Sequence, residues 1–558
     1  MTPQKQKQSL ETSSLLQDLL KEQNDLTAVE RFSKSKEAGS LPDQAKYYQE
    51  LIPLSTPDKG EQYGFEVDLD ACTGCKACVS ACHNLNGLDE KETWRSVGHL
   101  TGGSDKNPAL FTVTTACHHC LDPACLTGCP TQAYFKDPKT GIVKHLDDQC
   151  FGCKYCTLTC PYEVPQYNPR LGIVRKCDMC QDRLTSGEAP ACVQACPNQA
   201  IEIKIVKQKE VMENAESKSF LPLAPDPQKT YPTTNYKTSS PFPKNLLPQD
   251  YYSIKKSHSH LPLVFMLVLT QLSIGVFTMK WISNFLLQNS LSEKYSFLFT
   301  ALTFFLGQLA MAASLFHLGR PLYAFRAVIG LKTSWLSREI VAMTIFSFLT
   351  FSYALCFCLN QWTSFVILKS AFNHLETLTV LCGLAALGTS VMVYRATKRD
   401  SWDTSFTAWK FYLTAFVTGS SFFLLLLDFF SFYNSEIFFN LGQTRKFLLL
   451  AILGGILLKL SIESLILSHL KNRHLNPLKR SALLLIGELK NVFKTRICCA
   501  LVGGIGIPGI LFLMEDSIQI FTLLLGSASF ILILVGELLE RYLFFTSEGS
   551  DKMPGGFS

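Results

Sequence analysis

A chain of 558 residues with a formal net charge of +6 is too long for one domain, and it lacks the strongly basic balance of a nucleic-acid binder. Its averages conceal two unlike halves. Residues 1 to about 258 are polar and hold sixteen of the 21 cysteines, whereas the Leu/Phe/Ile-rich remainder holds Cys356, Cys358, Cys382, Cys498 and Cys499 without ligand spacing.

Residues 1–60 read as a polar N-terminal arm. Within 13–32, Leu15, Leu19, Leu26 and Val29 share one helical face, as in a surface helix or a partly disordered arm. Residues 1–30 contain no apolar signal-peptide core and no twin-arginine pair, so no export signal is expected.

Residues 61–206 carry four cysteine groups. Group I is Cys72, Cys75, Cys78 and Cys82; group II is Cys117, Cys120, Cys125 and Cys129. Group III is Cys150, Cys153, Cys156 and Cys160; group IV is Cys177, Cys180, Cys192 and Cys196. Group III has the full bacterial 4Fe–4S ligand run: two-residue gaps, a three-residue gap, then proline. The others are variants, and proline also follows Cys129 and Cys196. Soft thiolates are what an iron–sulfur cubane needs. A disulfide framework requires neither the fourfold recurrence nor the prolines, and zinc sites built from CxxC pairs account for them less well. Sixteen ligands make four 4Fe–4S clusters.

Alternating stretches at 61–70, 111–115, 141–145, 172–175 and 200–206 predict short strands around each group. The fold class expected is an α+β ferredoxin-like dicluster unit present twice, with groups I and IV wrapped around II and III. In two-cluster ferredoxins the fourth cysteine of a run ligates the other cluster. On that pairing the first set is Cys72, Cys75, Cys78 and Cys196, and the second is Cys177, Cys180, Cys192 and Cys82. The third is Cys117, Cys120, Cys125 and Cys160, and the fourth is Cys150, Cys153, Cys156 and Cys129. His118 and His119 are left to tune or shield a cluster. No nucleophile beside a base and no phosphate-cradling loop is evident, so the domain reads as an electron relay.

Residues 207–259 are proline-rich and are expected to form an extended linker dividing the halves. From 260 to 545 an all-α polytopic membrane bundle is predicted, followed by a tail at 546–558. Eight apolar segments, 262–286, 295–316, 339–359, 374–394, 408–432, 447–468, 497–514 and 517–540, approach or exceed a bilayer span, the seventh interrupted by GGIGIPG at 503–509. Basic residues concentrate in alternate loops: Arg320, Arg326, Lys332 and Arg338; Arg395, Lys398 and Arg399; and seven between 471 and 496. These loops share a side with both termini, which predicts a cytoplasmic cluster domain on an inner-membrane protein. Lys459 and Glu463, four residues apart, are expected to pair with each other, and Asp428 to make a structural hydrogen bond. His317, His374 and His469 lie at segment ends, so no haem is expected.

The stretches CFGCKYCTLTCPYEVPQYN (150–168), GIVRKCDMC (172–180) and APACVQACP (189–197) resemble the four-cluster electron-transfer subunits of the DMSO reductase family of molybdenum enzymes. The resemblance covers about residues 62–206. Some relatives have Trp at the second cysteine of group III and a 3Fe–4S cluster; Cys153 here implies four cubanes. HLPLVFMLVLTQLSIGVF (260–277), SLFHLGRPLYAFRA (314–327), SWLSREI (334–340) and GELLERYLFF (536–545) resemble the eight-helix anchor subunit of the same family. The chain is thus similar to two subunits fused end to end.

That resemblance implies oxidation of menaquinol or ubiquinol from the quinone pool at His317 and Glu339. Electrons would pass on to a separate molybdopterin-containing catalytic subunit, which holds the substrate-reducing site and which no stretch here is large enough to supply. Arg320 or Arg338 is positioned to hold a quinone carbonyl, or to anchor helices among lipid headgroups. Two rival readings are a quinone-reducing relay fed by an enzyme such as a formate dehydrogenase, and a membrane scaffold whose clusters are structural. DMSO reductase itself faces the periplasm, so the cytoplasmic side read from the loops departs from the family.

Overall fold

The computed structural model describes residues 43–286, 293–362, 366–433, 442–514 and 519–555, so the helix read over 13–32 lies outside it. Ten short strands occur in the polar half: β1 (Glu61–Asp68), β2 (Ser96–Ser104), β3 (Asn107–Thr115), β4 (Tyr134–Lys136), β5 (Val143–His145), β6 (Gln166–Asn168), β7 (Ile173–Arg175), β8 (Ile201–Lys207), β9 (Asn235–Lys237) and β10 (Leu247–Pro248). Six short helices punctuate them: α1 (Ala77–Leu85), α2 (Ala124–Gly128), α3 (Tyr155–Thr159), α4 (Gln181–Thr185), α5 (Ala191–Gln194) and α6 (Gln208–Glu216).

β1 and β8 pair antiparallel with Val67 opposite Ile201 and Phe65 opposite Ile203, so one apolar face closes the ends of the cysteine-rich stretch against each other. The small hairpins β4–β5 and β6–β7 bracket group III. β2 pairs with β3 in a longer hairpin. Sequence alternation does not predict β2, because SVGHLTGGS carries three glycines and a weak apolar pattern.

The stretch expected to be an extended linker from 207 opens instead with the helix α6 (Gln208–Glu216), and the proline-rich chain beyond it does not hang free. β9 adds parallel to β1 and β10 adds antiparallel to β2. The Thr233 hydroxyl donates to the His118 carbonyl at 2.8 Å, and Thr230 donates to the Tyr162 hydroxyl at 3.2 Å. Proline cannot serve a central strand, but an extended chain satisfies an exposed sheet edge.

The apolar half begins with α7 (Leu261–Leu286), α8 (Glu293–Leu315), α9 (Trp335–Trp362), α10 (Val366–Arg395), α11 (Ser405–Tyr433) and α12 (Gly442–Ser464). It ends with α13 (Pro477–Ile486), α14 (Lys490–Leu501), α15 (Ile507–Leu513) and α16 (Gln519–Thr546). Among the described residues eight helical stretches are long and apolar enough to cross a membrane, α14 and α15 counting as one. The predicted interruption at GGIGIPG is a π-helical turn, Val502–Gly506, that keeps the helix continuous. The Ser529 hydroxyl takes up the Gly503 carbonyl at 2.6 Å, satisfying a group that the turn frees. α7 packs against α8 and α11, and α9 against α10.

Lys459 and Glu463 do not pair with each other. Lys459 meets Glu537 and, at 3.7 Å, Glu540 of α16, while Glu463 meets Arg496 of α14 at 3.0 Å. Arg496 also reaches Glu537 at 3.0 Å, and Arg541 reaches Glu540 at 3.6 Å. In hydrocarbon each charge needs a partner facing the same interior seam, and for Lys459 and Glu463 those partners lie on other helices, so packing overrides the local spacing. Asp428 pairs with Arg445 at 3.1 Å.

Candidate functional site

The local geometry of groups I and III is the same. Gly74 and Gly152 sit at φ +74° and +72°, Lys76 and Lys154 at +61° and +60°, so each loop curls back before its short helix begins. Backbone N–H groups then point at sulfur: Gly152 to Cys150 at 3.4 Å, Met179 to Cys177 at 3.4 Å, Ala133 to Cys129 at 3.2 Å and Ala200 to Cys196 at 3.3 Å.

The sixteen thiols gather in four places. Cys72 faces Cys75, Cys78 and Cys196. Cys82 faces Cys180 and Cys192, and Cys177 faces Cys117 of the neighbouring place as well as Cys82 and Cys180. Cys125 faces Cys117, Cys120 and Cys160. Cys156 faces Cys129, Cys150 and Cys153. Among the described residues no three His, Cys, Asp or Glu side chains converge on a single metal ion. A cubane does not ask for that, because its ligands stand at separate corners. Two fully buried cations, Arg95 and Lys176, lie among these thiols, and the Arg95 Nη2 has no protein partner. Buried unpaired cations are costly, and anionic thiolate-bound clusters are the counter-charge that fits them. When bound, such clusters accept and pass on one electron each.

His118 and His119 are buried. His118 Nδ1 lies 2.9 Å from the Thr234 hydroxyl, and His119 Nδ1 accepts from the Val143 N–H at 3.0 Å. Burial pushes His118 down to about 3, so it is neutral. Both are built into the walls of the third set.

His317 and Glu339, both buried, line one cavity of about 400 Å³ together with Cys153 and Tyr155 of group III. Its remaining walls are mostly apolar, from α7, α8, α9 and α10, with Gln308 and Tyr394 as further polar groups. Burial, with Lys154 and His258 adding to it, pushes His317 down to about 4, so its ring is neutral. The His260 ring stands 5.2 Å from His317 and 4.6 Å from His258, centroid to centroid. His258 and His260 in turn line a second cavity, of about 540 Å³, edged by Lys154, Lys255 and Arg399.

Residues 254–546 match the family model described as the DMSO reductase anchor subunit (DmsC), and residues 109–206 match that of a 4Fe-4S dicluster domain. The chain belongs to the DMSO reductase anchor-subunit family. Its polar half is 37% identical to the B subunit of the anaerobic dimethyl sulfoxide reductase of Haemophilus influenzae over 174 residues, 30% of this chain and 84% of the relative. Against the corresponding B subunit of Escherichia coli K12 it is 39% identical over 149 residues, 25% of this chain and 72% of that one. The hydrogenase-2 operon protein HybA of Escherichia coli O157:H7 is 32% identical over 249 residues, 40% and 71% respectively. The protein is thus a fusion of an iron–sulfur subunit and a membrane anchor, and it is a membrane-anchored electron-transfer protein.

In this DMSO reductase-type fusion the two basic candidates stand outside the cavity. Arg320 donates to the carbonyls of Leu171 and Asp147, both at 3.2 Å, and Arg338 to those of Leu331 and Lys332 at 3.1 and 2.7 Å. Each is committed to backbone oxygens, so neither is aimed at a ligand there. Arg320 instead ties the HLGRP loop to the cluster domain. Arg326 does the same through Asp148, and Arg399 through Leu158.

The loop comes close because Gly152, Gly172 and Gly319 stack backbone on backbone. A Cβ on Gly319 would meet the Gly172 oxygen at 2.0 Å. We expect Gly319→Ala to push this loop off the cluster domain and lower the thermal midpoint of the protein in detergent, measured by circular dichroism. Sequence reading missed Tyr155, whose hydroxyl donates to the Val393 carbonyl at 2.6 Å, as well as Tyr394 and His260. Tyr155 sits inside the group III motif; the other two acquire their place only by packing.

Proposed function

We propose that the protein oxidises a quinol, menaquinol or ubiquinol, at His317 and Glu339. The electrons pass through four 4Fe–4S clusters to a separate molybdopterin-containing catalytic subunit. The ligand sets are those that follow from groups I/IV and II/III. The observation that carries the reading is the shared cavity, which puts an imidazole, a carboxyl group and a cysteine of group III around one apolar space at the end of the apolar helices. Oxidation releases two protons and two electrons. Glu339 and the neutral His317 take protons from the two ring hydroxyls. His260 and His258 lead them toward the polar cavity beyond, and the electrons leave singly past Cys153.

Cys153 of the fourth set on the cavity wall, and exposure of Cys75 in the first, support a relay that runs between the membrane half and the surface. The catalytic partner then docks over the first set. The basic loops support a cytoplasmic cluster domain, which a reporter fused after Ser558 reads directly. The test of the whole reading is anaerobic addition of a short-chain naphthoquinol to the detergent-solubilised protein. Reduction of protein-bound clusters, with four clusters' iron and sulfide per chain, is the expected result; clusters that stay oxidised would sink it. The likeness to a hydrogenase-2 operon protein favours one alternative, the same relay feeding electrons to quinone. It requires the first-set potential to lie well below that of the quinone pool.

A further inference from the structure

The gaps between the four cysteine sets are filled unequally. Arg95 fills the one between the first and second sets. It is fully buried, donates to the Thr114 hydroxyl at 3.1 Å, lies 4.8 Å over the Phe65 ring, and faces Cys192, Cys78, Cys177 and Cys82. Lys176 fills the gap between the second and third. Its ammonium donates to the carbonyls of Val143 and Cys177 and lies 3.5 Å from the Cys117 sulfur, with Cys125 also facing it. Tyr134, an uncharged phenol, occupies the place between the third and fourth sets, facing Cys156, Cys125 and Cys129.

Among the described residues neither Arg95 nor Lys176 has a carboxylate partner, although other buried cations do: Arg399 has Glu548 at 2.6 Å and Arg496 has Glu463 and Glu537. Where a fold gives other buried arginines carboxylate partners, these two cations are left for something anionic that is not a side chain.

We propose that Arg95 and Lys176 are charge wedges that raise the reduction potentials of the clusters they separate, most of all at the second set, which both of them flank. The inference rests on the four-site assignment above. Reduction adds one electron, and so one negative charge, to a site. No bond breaks and no proton moves. A fixed cation in a low-dielectric interior favours the more negative state, so the potential rises. An electron arriving at the fourth set is drawn inward to the second, and leaves by the more exposed first set, which only Arg95 flanks.

Redox-poised EPR titration of the full chain in membranes tests this. In Lys176→Gln the midpoints at the second and third sets are expected to fall by at least a tenfold change in the one-electron equilibrium, 59 mV, with the fourth set unmoved. Lys176→Arg, which keeps the charge, is expected to titrate like the unsubstituted protein. Arg95→Gln is expected to lower the first and second sets and leave the third. Unmoved midpoints with four clusters present, or a common shift of all four, would overturn the proposal. If Lys176→Gln loses a cluster, Lys176→Arg decides. A cluster retained with arginine supports the charge, and one lost there too shows that shape matters instead. Iron content and spin count of the unsubstituted protein show beforehand whether four clusters are present, so failure of the site assignment is told apart from failure of the wedges.

Discussion

Glu339→Gln is expected to slow quinol-driven reduction of the clusters by about 10²–10⁴-fold, the range lost with a general base, while dithionite still reduces them at the original rate. The carboxyl group lines the apolar space on whose wall Cys153 also stands, so a quinol held there has few polar groups to take its protons. Glutamine keeps the volume and the hydrogen-bonding atoms but accepts no proton. His317→Ala is expected to lose a comparable factor. The double variant should lose little more than either single one, because residues serving one proton step are not additive. Stopped-flow reduction with a naphthoquinol reads all three. Rates within threefold of the unsubstituted protein for both single variants would remove the site from the proposal, whatever the clusters do.

Lys459→Met is expected to destabilise the membrane bundle by about 3–5 kcal/mol, the cost of leaving a buried charge uncompensated. Lys459 and Glu537 are both 0% exposed, and the ammonium sits between Glu537, Glu540 and the Thr414 hydroxyl. Removing it leaves three carboxylates, Glu463, Glu537 and Glu540, facing the two guanidinium groups of Arg496 and Arg541. Adding Glu537→Gln restores the balance, so the double variant should recover part of the loss, a coupling expected for neighbours in one network. Thermal unfolding in detergent, followed by helical circular dichroism, measures it. A single variant as stable as the parent would mean that water reaches the seam.

Much of the cluster domain was legible because its signal is local. CxxCxxC followed by a short helix is a contiguous geometry, and five of the predicted strands stand where alternation put them. The eight spans were legible for a similar reason, since bilayer thickness sets a length that composition alone reveals. The hairpin strand β2 was not legible, because glycine in a strand carries no side-chain pattern. The partner of Lys459 was not legible either, because an i,i+4 spacing names only a neighbour on the same helix.

Arg320 marks the boundary between the two kinds of knowledge. Its position in the HLGRP loop allowed either a ligand contact or an anchor among headgroups; the structure turns it onto Leu171 and Asp147. The sequence by itself determined the four cysteine groups, the number of spans and the family, since each is written in residues close together along the chain. Tertiary structure alone decided that His317, Glu339 and Cys153 share one cavity. It also decided that the proline-rich stretch wraps the cluster domain and that Arg95 and Lys176 stand between cysteine sets. Those facts join residues tens to hundreds of positions apart, and only packing brings such residues within reach.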